Sequence, residues 1–152
     1  MVEEGQPAPD FELRSDTGES VRLSTFKGSP VVLYFYPKDD TPGCTAQACG
    51  IRDEFDAFRD RGAVVLGVSP DSESSHRRFR EKYRLPFTLL ADPEHEVAER
   101  YGVWVEKERN GKTYRGIERS TFVVDADGTL ARVMRRVDPR THADDVLAAL
   151  PD

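Results

Sequence analysis

Two cysteines, Cys44 and Cys49 in the stretch YPKDDTPGCTAQAC (residues 36–49), are the only thiols in this 152-residue chain. The residues just before the first one favour chemistry. Thr41 is of a type that caps helix N-termini, Pro42 suits the first helical position, and Gly43 leaves room for close backbone approach. This order predicts that Cys44 lies in the first turn of a helix. Unpaired N–H groups and the positive end of the helix dipole favour an anion there, and a thiolate is such an anion. An ordinary cysteine is only a few per cent ionised at neutral pH, so full ionisation raises its reactivity by about thirtyfold at most. That is too little for a fast enzyme, and the site must also bind and polarise an electrophile. The Thr41 hydroxyl, which donates or accepts, and the helix N–H groups are within reach of that task. A cysteine that merely packs in a core needs no such loop ahead of it. Cys49 taken alone fits either a second redox thiol or a small buried hydrophobe.

The rest of the composition narrows the chemistry. Twenty-two basic against 28 acidic residues give a net charge of −6, which argues against nucleic acid as the main partner. The N-terminus MVEEGQPAPDFEL has no basic segment followed by an apolar core, and no stretch approaches the roughly 20 apolar residues of a membrane span. A soluble, cytoplasmic protein is expected, without membrane partners. In that compartment paired cysteines are more often catalytic or redox-sensing than structural. His76, His95 and His142 lack the spacing of metal ligands and read as surface residues, so no metal is expected and no cofactor is implied. The basic run HRRFREKYR reads as a solvated helix with Phe79 and Tyr83 on its packed face. Trp104 and its neighbours read as core.

The elements that must carry the cysteines follow from periodicity. SPVVLYFYP is a continuous β-branched and aromatic run ended by proline, as expected of a strand buried on both faces, and AVVLGVSP repeats the pattern. Between them, Ile51, Phe55 and Phe58 form the apolar stripe of one helix that ends near Gly62. Together these make a βαβ unit. Downstream, SESSHRRFREKYRL predicts a helix, FTLLAD a strand and PEHEVAERYG a short helix. STFVVDADGTLARVMRRV predicts a hairpin turning at Asp127 and Gly128, and DPRTHADDVLAAL a closing helix. FELRSDTGESVRL predicts a small N-terminal hairpin. No linker or repeat divides the chain, so residues 1–152 read as one α/β domain with a mixed central sheet flanked by helices. Sites in such sheets form beyond the carboxyl ends of parallel strands, which is where PKDDTPGC falls.

The pattern Pro37-x-x-x-Thr41-x-x-Cys44 resembles the active-site motif of the peroxiredoxins. The second cysteine five residues on resembles the bacterioferritin-comigratory-protein, or Q-type, subgroup. The similarity extends through GVSPDS, FTLLADPEHEVAERYGVW and GIERSTFVVDADG. It implies a thioredoxin-like fold with the N-terminal hairpin as an extension. It also implies a peroxidase acting on hydrogen peroxide and organic hydroperoxides, with Cys44 as the peroxidatic nucleophile. Thr41 would hydrogen-bond thiolate and peroxide, Pro37 would shield the pocket, and Cys49 would be the resolving cysteine. Arg119, in ERSTF, matches the family's active-site arginine, a fixed charge able to favour thiolate and peroxide oxygens. Thioredoxin or a similar dithiol would be the reductant, and the subgroup implies a monomer. Val105 departs from the small residue expected at its position and bears on the shape of a loop there.

Two other readings compete. A thiol–disulfide oxidoreductase on the same fold typically uses Cys-x-x-Cys, and the spacing here is Cys-x-x-x-x-Cys. A redox sensor or holdase, switched by its disulfide, would react with peroxide once and stop.

Overall fold

In a computed structural model, which describes residues 2–150, the chain alternates strands and helices. Its elements are β1 (Glu12–Ser15), β2 (Ser20–Arg22), a 3-10 turn (Leu23–Phe26), β3 (Val31–Phe35), α1 (Pro42–Asp53), α2 (Phe55–Asp60), β4 (Val64–Ser69) and α3 (Glu73–Tyr83). They continue as β5 (Thr88–Ala91), α4 (Glu96–Arg100), β6 (Trp104–Arg109), β7 (Lys112–Ile117), β8 (Ser120–Val124), β9 (Leu130–Arg135) and α5 (His142–Ala149). Seven strands form one sheet in the order β2-β1-β5-β4-β3-β8-β9. β3, β4 and β5 run parallel, while β8 is antiparallel to β3, and β9 to β8. The run β4-β3-β8-β9, with α1 and α2 between its two parallel strands, is the thioredoxin-like arrangement. The β1–β2 hairpin is appended through β1 against β5. Among the described residues no helix is long and apolar enough to cross a membrane.

β3 is central because both its faces are apolar. Successive side chains alternate across a strand, so Val32 and Tyr34 enter the core under α1, α3 and α5, and Val31, Leu33 and Phe35 enter the core that α4 covers. All five are buried, and helices lie on both faces as the apolar runs require. Ile51 and Phe58 are fully buried as the stripe predicts. The single helix expected there is instead two, broken at Glu54 (φ −103°, ψ 12°). Gly62, at φ +70°, closes α2: its N–H donates to Arg59 O at 2.8 Å and the Ala63 N–H to Phe58 O at 3.0 Å, the paired bonds that a left-handed residue allows after a helix.

Two further sequence expectations need correction, the surface placement of the histidines and the loop at Val105. His76 and His142 are fully buried rather than at the surface, because each has a polar partner inside, and His95 is half-buried. Trp104, read as core, is half-buried and packs against the core beside fully buried Val103 and Tyr101, its ring stacked on His95 at 4.0 Å. β6 and β7 pair with each other outside the main sheet as an arm. Its turn is Asn110-Gly111, both at positive φ (53° and 75°), the pair that a two-residue hairpin turn prefers. Val105 therefore sits in a strand, opposite Gly116, and not in a loop.

Candidate active site

The segment after β3 bends at Tyr36–Pro37 and enters α1 at Thr41. Thr41 is the N-cap residue, in extended conformation (φ −97°, ψ 156°), and Pro42 follows at the start of the helix. The Thr41 carbonyl accepts the Thr45 N–H at 2.8 Å. Its hydroxyl does not cap the helix; it donates to Lys38 O at 2.9 Å. With that proton committed, its lone pairs remain to accept a hydrogen bond.

Cys44 is buried, with 1% of its surface exposed, in the first turn of α1, as the sequence predicts. An Arg119 guanidinium nitrogen, Nη1, donates to Cys44 Sγ at 3.4 Å and to Gln47 Oε1 at 2.6 Å. Gln47 lies one turn after Cys44 on the same helix face and is fully buried, so it braces the guanidinium against the thiol. Gly43 explains the close approach: a Cβ there would lie 3.1 Å from Arg119 Nη2. Arg119 comes from the connector between β7 and β8. That connector is held on both sides, by the Glu118 N–H on Val103 O at 2.8 Å and the Val137 N–H on Arg119 O at 3.1 Å. Glu118, its neighbour, pairs with Arg135 and Arg136 instead.

The field of this site reaches the groups around it. Burial pulls His142 down to about 4, and Arg119 pushes the same way against Asp145. Burial pushes Tyr34 well above the ordinary phenol range, and Cys44 adds to that rise. His142 Nε2 lies 2.6 Å from Thr121 Oγ1 on β8, and burial keeps the imidazole neutral.

Cys49 is half-buried further along α1, and both thiols are free. Burial pushes its thiol up, opposed by Arg52 and reinforced by Asp53. The far end of α1 is tied to α3 by Arg52, whose guanidinium donates to Tyr83 O at 2.9 Å.

A buried network anchors the other side of the loop. The Tyr36 hydroxyl donates to Asp39 Oδ1 at 2.5 Å, and Asp39 Oδ2 faces Ser75 Oγ at 2.8 Å and His76 Nδ1 at 2.7 Å. The Asp39 N–H and the Ser69 hydroxyl both donate to Asp71 Oδ2 at 2.8 Å. Asp39, Asp71 and His76 bring metal-ligand atoms within 4.8 Å of one another. Hydrogen bonds from neighbouring side chains and backbone already occupy those oxygens, so the cluster works as a tether for the loop.

The structure thus brings Arg119 onto Cys44 in the helix that Thr41 begins, at one end of the parallel strands, with half-buried Pro37 in the segment leading into that helix and Cys49 further along it. Gln47 and the Asp39–His76 tether were not singled out by sequence. The signal for Gln47 is its three-residue spacing from Cys44. For His76 it is the same spacing from Phe79, which puts it on the packed face of α3. A thiol placed at a helix start against a guanidinium, with a hydroxyl acceptor at the helix cap, is arranged to attack an electrophile whose leaving atom gains negative charge.

The chain is similar to known proteins along nearly all of its length. The AhpC/TSA family profile matches residues 4–133. Peroxiredoxin Bcp of Bacillus subtilis is 52% identical over 151 residues, spanning 99% of this chain and 96% of that protein. Peroxiredoxin Bcp of Escherichia coli is 49% identical over 143 residues, 94% and 92% of the two chains. The bacterioferritin comigratory protein of Xanthomonas campestris, solved as trapped intermediate and ligand complexes bearing on its alkyl peroxide reduction, superposes with a TM-score of 0.87. That match has 38% identity and covers 91% of this chain and 88% of that one.

Proposed function

The chain belongs to the AhpC/TSA family, in its Bcp group of peroxiredoxins, and is a thiol-dependent peroxidase; from that premise we propose that Cys44 is the peroxidatic nucleophile and Cys49 the resolving thiol. The observation that carries this reading is the Arg119 guanidinium donating to Cys44 Sγ at the start of α1. The Cys44 thiolate attacks one oxygen of a hydroperoxide, the O–O bond breaks, and the other oxygen leaves as water or alcohol after taking a proton. Cys44 is left as a sulfenic acid. Arg119, braced by Gln47, stabilises charge on both sulfur and leaving oxygen. Thr41 accepts a hydrogen bond from the peroxide, and Pro37 keeps bulk water from the thiolate.

Cys49 then attacks the sulfenic sulfur, water leaves, and an intramolecular disulfide forms. Two positions five apart on a helix are separated by about 8.6 Å between Cα atoms, beyond the roughly 7 Å that a disulfide tolerates. α1 runs unbroken through both cysteines, so its first turns unwind in this step. A dithiol such as thioredoxin resets the pair, and the protein works as a cytoplasmic monomer. The test is steady-state peroxide reduction with thioredoxin, its reductase and NADPH. Continuous turnover that Cys44→Ser abolishes is expected. Consumption of one equivalent followed by arrest with every reductant would instead make the protein a sensor.

A further inference from the structure

The β6–β7 arm has two unlike faces. Directly opposed residues of an antiparallel pair share a face, so the register puts Val105, Lys107, Arg109, Lys112, Tyr114 and Gly116 on one side. The other side carries Glu106, Glu108 and Arg115, together with Trp104, which is stacked on His95. The first side thus has three cations and no carboxylate, in a chain of net charge −6. It also carries Tyr114, the one large hydrophobic side chain that is exposed among the described residues, at 47%. Lys107, Arg109 and Lys112 have no ion-pair partner among those residues. Arg109 and Lys112 are directly opposed, a like-charge pair that weakens a hairpin and contributes nothing to holding the arm together.

Lys107 on this face lies within electrostatic reach of Arg119 and Cys44. Gly116 lets the Tyr114 ring and the Lys107 stem lie over it, at 3.5 and 3.6 Å from where a Cβ would sit. Burial holds Lys107 below the ordinary lysine range and Arg119 pushes it the same way, while Glu118 and Cys44 pull it back. The arm also leads directly into the connector that carries Arg119.

We propose that the Lys107–Arg109–Lys112–Tyr114 face of the arm is where the recycling dithiol protein docks, and that this partner presents an acidic surface beside its thiols. The inference rests on the reading above that an external dithiol reduces the Cys44–Cys49 disulfide. A partner thiolate attacks Cys49 Sγ, the S–S bond breaks, and Cys44 leaves as a thiolate beside Arg119. The partner's second thiolate then attacks the mixed disulfide, Cys49 leaves and takes a proton, and the partner ends as a disulfide, two electrons poorer. Unpaired cations on the approach path raise the encounter rate with an acidic protein by about ten- to a thousandfold at low salt.

The experiment compares two reductants: a thioredoxin of net negative charge, kept reduced by its reductase, and uncharged dithiothreitol. The variants are Arg109→Glu/Lys112→Glu, which keeps a like-charge pair at the tip and so a similar arm stability, and Tyr114→Ala. The ratio of kcat/KM for thioredoxin to that for dithiothreitol should fall about tenfold or more in the double variant at low salt. In the wild type kcat/KM for thioredoxin should drop as ionic strength rises from about 20 to about 200 mM, and in the double variant that slope should reverse. In Tyr114→Ala the ratio should fall with the slope kept. An unchanged ratio in both variants, or a wild-type rate indifferent to salt, overturns the docking surface and leaves recycling standing. A wild type that forms its disulfide but takes no electrons from reduced thioredoxin overturns the recycling reading, and the docking surface with it.

Discussion

Replacing Gly50 by Ala tests whether α1 must unwind before the disulfide closes. Gly50 is half-buried beside Cys49, and an added Cβ would lie 3.8 Å from Ala143 Cβ on α5, an ordinary contact. The substitution therefore fits the wound helix. Alanine is better than glycine in a helix interior by about 1 kcal/mol, and the methyl contact with α5 adds to that. At RT of about 0.59 kcal/mol, the unwound fraction shrinks by about fivefold. If Cys49 reaches the sulfenic sulfur only from that fraction, disulfide formation slows about fivefold. The peroxide concentration that drives half of Cys44 to sulfinic acid falls by the same factor, because a second peroxide competes with Cys49. The assay is rapid quenching with a thiol alkylator after one equivalent of peroxide, read by mass analysis, with a thermal scan of the reduced protein alongside. The melting temperature should rise by about 2–4 °C. A higher melting temperature with an unchanged rate of disulfide formation would refute the unwinding step.

Arg119→Met should cut the second-order rate with peroxide by about 10²-fold, the typical effect of losing a charged donor aimed at the reacting atoms; stopped-flow with Cys49→Ser as background measures it. Because His142 is held near 4 when folded against an ordinary 6.5, the unfolded chain binds more protons between these values. Its stabilisation is complete above about pH 6.5 and is lost as pH falls toward 4, amounting to about 3 kcal/mol. Thermal melts across that window should show the loss, and His142→Gln should flatten it. Burial raises the Cys49 thiol, so it remains protonated at neutral pH, and the resolving rate should climb by up to about tenfold per pH unit from 6 to 8. Quench-flow at three pH values tests that slope.

What the sequence disclosed was local. The strand through Val31 and Phe35 showed itself as an unbroken apolar run because both of its faces are covered. The helix start at Thr41, Pro42 and Gly43 is written in residue types whose backbone preferences act over three or four positions. The turn at Asn110-Gly111 was not read from sequence: its flanking strands are too charged to stand out as apolar runs, so the arm emerged only in three dimensions. The longer-range pairings leave no periodic trace. His76 is buried because Asp39, 37 residues earlier, meets it, and His142 because Thr121 does. Nothing near Arg119 distinguishes it from the chain's other arginines; the family resemblance pointed to it, and the structure puts its guanidinium on Cys44. The break at Glu54 interrupts an apolar stripe that is itself regular, so a continuous helix was the natural reading.

The most direct test of the account is mass analysis of three proteins, wild type, Cys49→Ser and Cys44→Ser, after one equivalent of peroxide with a sulfenic-acid trap present. The wild type should lose two hydrogens and join the peptides of Cys44 and Cys49. Cys49→Ser should carry a single trapped sulfenic acid on the Cys44 peptide, and Cys44→Ser should remain unmodified on the same timescale. A sulfenic acid on Cys49 in Cys44→Ser, formed as fast as the one on Cys44 in Cys49→Ser, would contradict the assignment of the nucleophile.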